Sequence, residues 1–189
     1  SPLVTAAMGL IMILFAGREV MARQSRKLTG WWAYGLGTTS MLIAGTVVTL
    51  FALTTQVRPN PWYEARVAIP LLGMILGNTM TGIAIGLDRL MTGTARERSA
   101  IEARLALGHS STQAMSGVVR EALRSGLIPI INSMSAVGLV SIPGMMTGQI
   151  LAGADPIEAV KYQMVVMFML AAATAIGCIA ITWLTYKRL

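Results

Sequence analysis

Residues 162–186 read YQMVVMFMLAAATAIGCIAITWLTY, twenty-five consecutive positions without an acidic or basic side chain. An α-helix needs about 20 apolar residues to cross the hydrocarbon core of a bilayer, so this stretch is long enough for one span. Further uncharged runs cover residues 1–17, 28–57, 67–87 and 125–154. Together these runs predict an all-α protein, a polytopic transmembrane helical bundle with five spans.

The composition of the 189-residue chain excludes several classes of protein. Hydrophobic residues make up 54% and charged residues 12%, and the net charge is +7. Because charged residues are about half as frequent as in soluble domains, a water-soluble enzyme is excluded. Cys178 is the sole cysteine, so a disulfide-linked secreted domain is excluded too. The positive charge is explained by basic loops that orient membrane helices, and we expect no nucleic-acid partner.

The distribution of Lys and Arg residues predicts the orientation of the spans. Twelve of the fifteen basic residues fall after span one, between spans three and four, or in the C-terminal tail. Basic loops remain on the cytoplasmic side, so we expect the first visible residues outside and the C-terminus in the cytoplasm. The aromatic residues next to spans two and three are expected to anchor them at the membrane interface; they are Trp31, Trp32, Tyr34, Trp62 and Tyr63.

Residues 88–124 form a charged segment whose pattern predicts two short helices. Ile101 and Leu105 lie one helical turn apart on a first helix, and Gly108 stands where that helix can end in a left-handed cap. Ser110 offers an N-cap oxygen to a second helix. That helix carries an apolar stripe at Met115, Val118, Val119, Ala122 and Leu123. We expect a cytoplasmic helix–turn–helix, and the alternative is an amphipathic pair that only rests on lipid headgroups.

Residues 102–108 read EARLALG and resemble the EAA-x-x-x-G loop of ABC-transporter permeases, with Arg104 in place of the second alanine. In that family the loop forms a coupling helix, which docks on a cytoplasmic ATPase subunit and transmits its closure to the spans. The resemblance implies that Glu102, Ala103, Arg104 and Gly108 form the docking element. His109, beside the turn, is expected to have a capping or surface role.

Three longer stretches resemble the FetB-type iron-export permeases, which are related to plant aluminium-tolerance membrane subunits. They read ALRSGLIPIINSM at 122–134, GLVSIPGMMTGQILAGADP at 138–156 and VKYQ at 160–163. The resemblance implies one permease domain over residues 1–189, preceded by further N-terminal spans, in the bacterial inner membrane. It also implies export of iron or another metal by two permease copies with two ATPases. ATP and Mg would then bind the ATPase, and this chain would bind no cofactor.

Polar and small side chains in and after span four suggest a transport path. Pro143-Gly144 should interrupt the span, and residues 145–152 are too short to cross, so we predict a re-entrant or interfacial helix at the outer face. Helix packing is the alternative role for a polar, small-residue face. The candidate path residues are Asn78, Asn132, Ser135, Met145, Met146, Gln149, Lys161 and Gln163.

The fourteen methionines invite a soft-metal interpretation, because thioethers favour ions such as Cu(I). Met134, Met164 and Met167 are further candidates, but apolar filling is the favoured role for all of them. No metal-ligand set is assigned. Glu158 and Lys161 lie three residues apart and can pair with each other or guard an exit.

Neither an intramembrane enzyme nor an ATPase fits the sequence. The five uncharged runs contain no histidine, so they offer no catalytic base and no group for proton coupling. The chain also lacks a G-x-x-x-x-G-K-[ST] phosphate loop. We therefore expect a non-enzymatic permease, and the alternative is an ATPase-independent channel or secondary carrier for a small solute.

Overall fold

The computed structural model describes residues 2–22, 31–57, 64–138 and 142–187, which form seven α-helices and one short π-helix. The helices are α1 (Pro2–Ala22), α2 (Trp31–Phe51), the π-helix (Ala52–Val57), α3 (Ala65–Arg96), α4 (Arg98–Ala106), α5 (Ser111–Ala136), α6 (Gly144–Leu151) and α7 (Pro156–Tyr186). The predicted all-α helical bundle is confirmed.

Four helices in the described ranges are long and apolar enough to cross a membrane, namely α1, α2, α3 and α7. The fourth predicted span is not among these four, and residues 125–154 are divided between two helices, as the interruption predicted at Pro143-Gly144 requires. α5 ends at Ala136 and the eight-residue α6 begins at Gly144. Pro143 is the N-cap of α6, so the predicted short helix after the proline is present.

The segment 88–124 contains the predicted helix, glycine turn and helix, but the second of these helices runs on beyond the segment. α3 continues to Arg96, and only α4 is a short independent helix. The predicted second helix is the first half of α5, whose buried face runs on from Met115 to Ile130 without a break. Pro129 therefore lies in the second half of α5. A continuous apolar stripe keeps one helix together, whereas the proline costs only one backbone hydrogen bond locally.

The centre of the bundle is formed by α3, α5 and α7, whose backbones approach through small residues. A Cβ atom added to Gly126 of α5 would lie 2.8 Å from the carbonyl oxygen of Gly82 on α3. The same atom would lie 2.9 Å from Sγ of Cys178 on α7. Gly82 and Gly86 are spaced as G-x-x-x-G, the pattern that brings membrane helices into close contact.

The three central helices run in alternating directions, which gives the bundle two distinct ends. One end carries α4 and is called here the α4 end. There the hydroxyl group of Tyr186, the last residue of α7, is 2.7 Å from the hydroxyl group of Thr112 in the first turn of α5. The opposite end carries α6 and is called the α6 end.

The predicted aromatic anchors lie outside what the structure describes. Trp62 and Tyr63 fall between the described ranges, and the helical positions of Trp31, Trp32 and Tyr34 are described without their side chains.

Candidate functional site

A cavity of about 520 Å³ opens between α3, α5, α6 and α7 at the α6 end. Four of the predicted path residues line it, namely Asn78, Asn132, Met145 and Gln163. Each comes from a different helix, so the cavity depends on the packing of all four. No acidic or basic side chain is among its lining residues. Half of the eight predicted path residues therefore lie at one shared cavity.

Gln163 is the buried polar group of this cavity. The residue lies in the second turn of α7 and is only 5% exposed. Its side-chain oxygen Oε1 has no hydrogen-bond partner among the described residues. Leaving such an acceptor buried and unpaired costs about 1–3 kcal/mol, so the position favours a bound partner in the cavity.

Asn78 and Ser133 use their donor groups within their own helices. Nδ2 of Asn78 donates to the carbonyl oxygen of Met74 at 2.9 Å. Oγ of Ser133 donates to the carbonyl oxygen of Pro129 at 2.9 Å. These bonds use the only hydroxyl donor of Ser133 and one of the two N–H groups of Asn78, and the side-chain oxygen atoms of both residues remain as acceptors.

The other four predicted path residues do not line this cavity. Ser135 donates to the carbonyl oxygen of Ile131 at 3.0 Å, and Met146 is absent from the lining. Gln149 and Lys161 instead line a second cavity of about 380 Å³, together with Glu158. Nζ of Lys161 is 2.7 Å from Oε1 of Glu158, so the predicted pairing is confirmed.

At the α4 end, Gly108 terminates α4 as the sequence predicts. Its φ angle is 88°, which lies in the left-handed region that favours glycine. The N–H of Gly108 donates to Leu105 at 3.0 Å, and that of His109 donates to Arg104 at 3.2 Å. These two bonds form a Schellman motif. Ser110 then caps α5 in a capping box with Gln113.

The predicted docking residues make mostly local contacts. Glu102 accepts a hydrogen bond from Nε of Arg98 at 2.8 Å, and this contact raises the pKa of the Arg98 guanidinium. Nη1 of Arg104 donates to the carbonyl oxygen of Ala114 at 3.0 Å, which joins α4 to α5. Ile101 is buried against α3 and α5 in the cluster with Leu90 and Met115. α4 is therefore fixed on one side, whereas Glu102, Ala103 and Leu107 are exposed on the surface.

The sequence analysis missed several residues that the structure brings to these sites. Met74 lies in the cavity one helical turn before Asn78, a spacing that was visible in the sequence. The spacing of Gly82 and Gly86 was also a recognisable signal for helix packing. Tyr186 had no such signal, because its contacts are 74 and 75 residues away along the chain.

Within the described part of the chain, no group of three or more His, Cys, Asp or Glu residues is placed to hold a metal ion. Any metal at the cavity would therefore meet neutral amide, hydroxyl and thioether groups.

Comparison with known proteins gives the family. A model of an uncharacterised protein family, UPF0014, matches residues 1–189. A UPF0014 membrane protein of Synechocystis is 38% identical over 186 residues, which are 98% of this chain and 70% of that protein.

Two further relatives carry more specific names. The probable iron export permease protein FetB of Escherichia coli is 41% identical over 120 residues, which are 64% of this chain and 46% of that protein. The protein ALUMINUM SENSITIVE 3 of Arabidopsis thaliana is 35% identical over 178 residues, which are 94% of this chain and 63% of that protein. No solved structure matches significantly. The resemblance read from residues 102–163 is confirmed, and the chain belongs to the uncharacterised membrane-protein family UPF0014.

Proposed function

We propose that this chain is the membrane-spanning subunit of an ATP-driven exporter of iron or another metal ion in the bacterial inner membrane. The name of the Escherichia coli relative, probable iron export permease protein FetB, supports the transport role. The observation that carries the ATP-driven part is the geometry of α4. It is a short, largely exposed helix that connects the two long helices α3 and α5 and contacts both.

The attachment of α4 suits it to transmit a movement. Its residue Ile101 is packed among side chains of α3 and α5, and Arg104 bonds to the backbone of α5. The N-terminal half of α3, at Met74 and Asn78, and the C-terminal end of α5 line the cavity at the α6 end. A force applied to α4 would therefore reach the cavity through two continuous helices rather than through loops.

ATP and Mg are assigned to a separate ATPase subunit, since this chain has no phosphate loop. The excess of basic residues near the α4 end supports a cytoplasmic location for that end and for the C-terminus. We infer an assembly of two permeases and two ATPases, surrounded by lipid. A secondary carrier is the alternative function, and the uncharged lining of the cavity disfavours proton coupling in it.

The test is copurification of the ATPase and its ATP turnover in reconstituted vesicles. Gly108→Val places a β-branched residue at φ 88°, which costs about 1–2 kcal/mol and disturbs the end of α4. Glu102→Arg reverses a charge on the exposed face. We expect either change to weaken ATPase stimulation about tenfold without loss of membrane insertion. The matched control is Gly117→Val, because an added Cβ at Gly117 meets nothing within 4 Å.

If Gly108→Val and Glu102→Arg both bind and stimulate the ATPase as the parent protein does, α4 is not the docking element. Solute transport by the permease in vesicles that contain no ATPase would favour the channel or carrier instead.

A further inference from the structure

The cavity at the α6 end combines amide and thioether side chains in three pairs. Met74 and Asn78 lie one helical turn apart on α3, and Gln163 and Met167 lie one turn apart on α7. Residues with this spacing share one face of a helix. The third pair comes from two helices, with Asn132 on α5 and Met145 on α6.

The orphaned atom of this cavity is an acceptor. Oε1 of Gln163 accepts no hydrogen bond from the described residues, although Gln163 is only 5% exposed. The cavity is also lined by three methionines, whose sulfur atoms can act as weak acceptors or metal ligands but not as donors. A cavity that offers unpaired oxygen and sulfur atoms suits a cation better than an anion.

We propose that this cavity is a low-charge metal-ion site. Gln163 Oε1 and the thioether sulfur atoms of Met145 and Met167 coordinate a borderline or soft ion such as Fe(II) or Cu(I). The amide oxygens of Asn78 and Asn132, together with water, complete the coordination. The inference rests on the proposed transport function and assigns the residues that select the transported ion.

The donor set explains selectivity. Mg²⁺ and Ca²⁺ prefer carboxylate, carbonyl and water oxygens, whereas thioethers favour softer ions. A site with two thioether ligands, a third thioether in its lining and no carboxylate therefore discriminates against Mg²⁺ and Ca²⁺. Hard trivalent ions are disfavoured for the same reason.

Two features keep the affinity modest, which a transport site needs for release. The lining carries no negative charge, and the N-terminus of α6 borders the cavity at Pro143 and Gly144. The positive end of that helix dipole opposes a bare cation. The volume of about 520 Å³ leaves room for several waters, at about 30 Å³ each, around the ion.

The experiment measures Fe(II) binding to the intact membrane protein in lipid nanodiscs, without oxygen and without the ATPase. Met145→Leu, Met167→Leu and Gln163→Leu should each weaken Fe(II) binding about tenfold, as loss of metal-site contacts commonly does. The matched controls are Met146→Leu, next to Met145 in α6, and Met164→Leu, an exposed residue of α7. Both should bind Fe(II) within about twofold of the parent protein. X-ray absorption at the iron edge should show sulfur scatterers.

Gln163→Met tests whether Gln163→Leu loses Fe(II) binding only because it misfolds. It replaces one neutral ligand with another, so it should retain the binding that Gln163→Leu loses. The proposal is overturned if the parent protein shows no saturable Fe(II) binding or if iron has only oxygen and nitrogen neighbours. Equal losses in Met145→Leu and Met146→Leu would overturn it as well. Because no ATPase is present, these outcomes are separate from ATPase docking. If the permease stimulates the ATPase normally but binds no metal ion, the proposed metal site is refuted, whereas ATPase docking on α4 is not.

Discussion

Gly126 lies at a close backbone contact between α3 and α5, where even a methyl group has no room. The carbonyl oxygen of Gly82 and the sulfur of Cys178 both occupy the space that a Cβ atom would need. Membrane helices gain little from burying apolar area against each other, because lipid is equally apolar. Their association depends on this kind of close packing, so single glycines matter for the bundle.

We expect Gly126→Val to destabilise the protein, because α3 and α5 must separate to admit the side chain. Overpacking of this kind typically costs about 1–3 kcal/mol. The measurement is thermal unfolding in detergent. Gly117→Val is the comparison, since it makes the same substitution in the same helix where nothing lies within 4 Å of the added atom. Equal melting temperatures for the two variants would show that the glycine contact does not hold the helices together.

At the cavity, the sequence identified the right kinds of residue but not all the right positions. Asn132 and Ser135 are both polar residues of α5, yet only Asn132 lines the cavity. Met145 and Met146 differ in the same way. Met145 and Met146 are adjacent in α6 and therefore point in different directions, whereas Asn132 and Ser135 lie three residues apart, one turn from each other along α5. Which of two such residues reaches the cavity depends on packing against helices that are distant in the sequence.

At the scale of the elements, the turn between α4 and α5 combines two local motifs. The Schellman motif at Gly108 satisfies carbonyl groups at the end of α4, and the capping box of Ser110 and Gln113 satisfies donors at the start of α5. Only two residues, Gly108 and His109, separate the Ccap Leu107 from the Ncap Ser110. The turn between α4 and α5 is therefore defined by its own hydrogen bonds.

Ser110→Ala should fray the first turn of α5, because the hydroxyl group that accepts from the N–H of Gln113 is lost. Loss of an N-cap of this kind costs about 1 kcal/mol. Hydrogen exchange should become faster at residues 112–114 and stay unchanged in the second half of α5. Ser116→Ala is the control, because its exposed hydroxyl only donates to the carbonyl oxygen of Gln113 within the helix. Unchanged exchange in Ser110→Ala would mean that packing, not the cap, holds this turn.

The turn between α4 and α5 was predictable because its signals are local, whereas the continuity of α5 depends on residues that are distant in the sequence. Gly108 and Ser110 act on their immediate neighbours, so their residue types reveal the structure. The length of α5 depends on Ala122 and Gly126 packing against α3 and α7, many residues away. The change from charged to uncharged residues near Arg124 indicated a membrane boundary, but a helix can cross such a boundary without a break.

At the scale of the whole molecule, the alternation of α3, α5 and α7 separates the α4 end from the α6 end. The contact of Tyr186 with Ser111 and Thr112 brings the end of α7 to the start of α5. The cavity with Gln163 opens at the other end. A partner at α4 and a solute at the cavity would therefore act from opposite sides of one bundle, as an exporter driven from the cytoplasm requires.

Labelling of introduced cysteines tests this arrangement directly. Cys178 is fully buried, so the parent protein should give little background with a membrane-impermeant thiol reagent. Ser110→Cys and Lys187→Cys lie at the α4 end and should react only when the cytoplasmic face is exposed to the reagent. Ala154→Cys follows α6 and should react from the outside of intact cells.

The comparison of intact cells with inverted vesicles gives each variant its own control, because a position accessible on one side should be protected on the other. Residues 110 and 154 are joined by α5, residues 137–143 and α6, so an even number of crossings between them would place both on one side. Labelling of Ser110→Cys and Ala154→Cys from the same side would therefore mean that α5 does not cross the membrane. In that case the cavity at the α6 end would face the same compartment as α4, and it would not serve as the outer part of an export path.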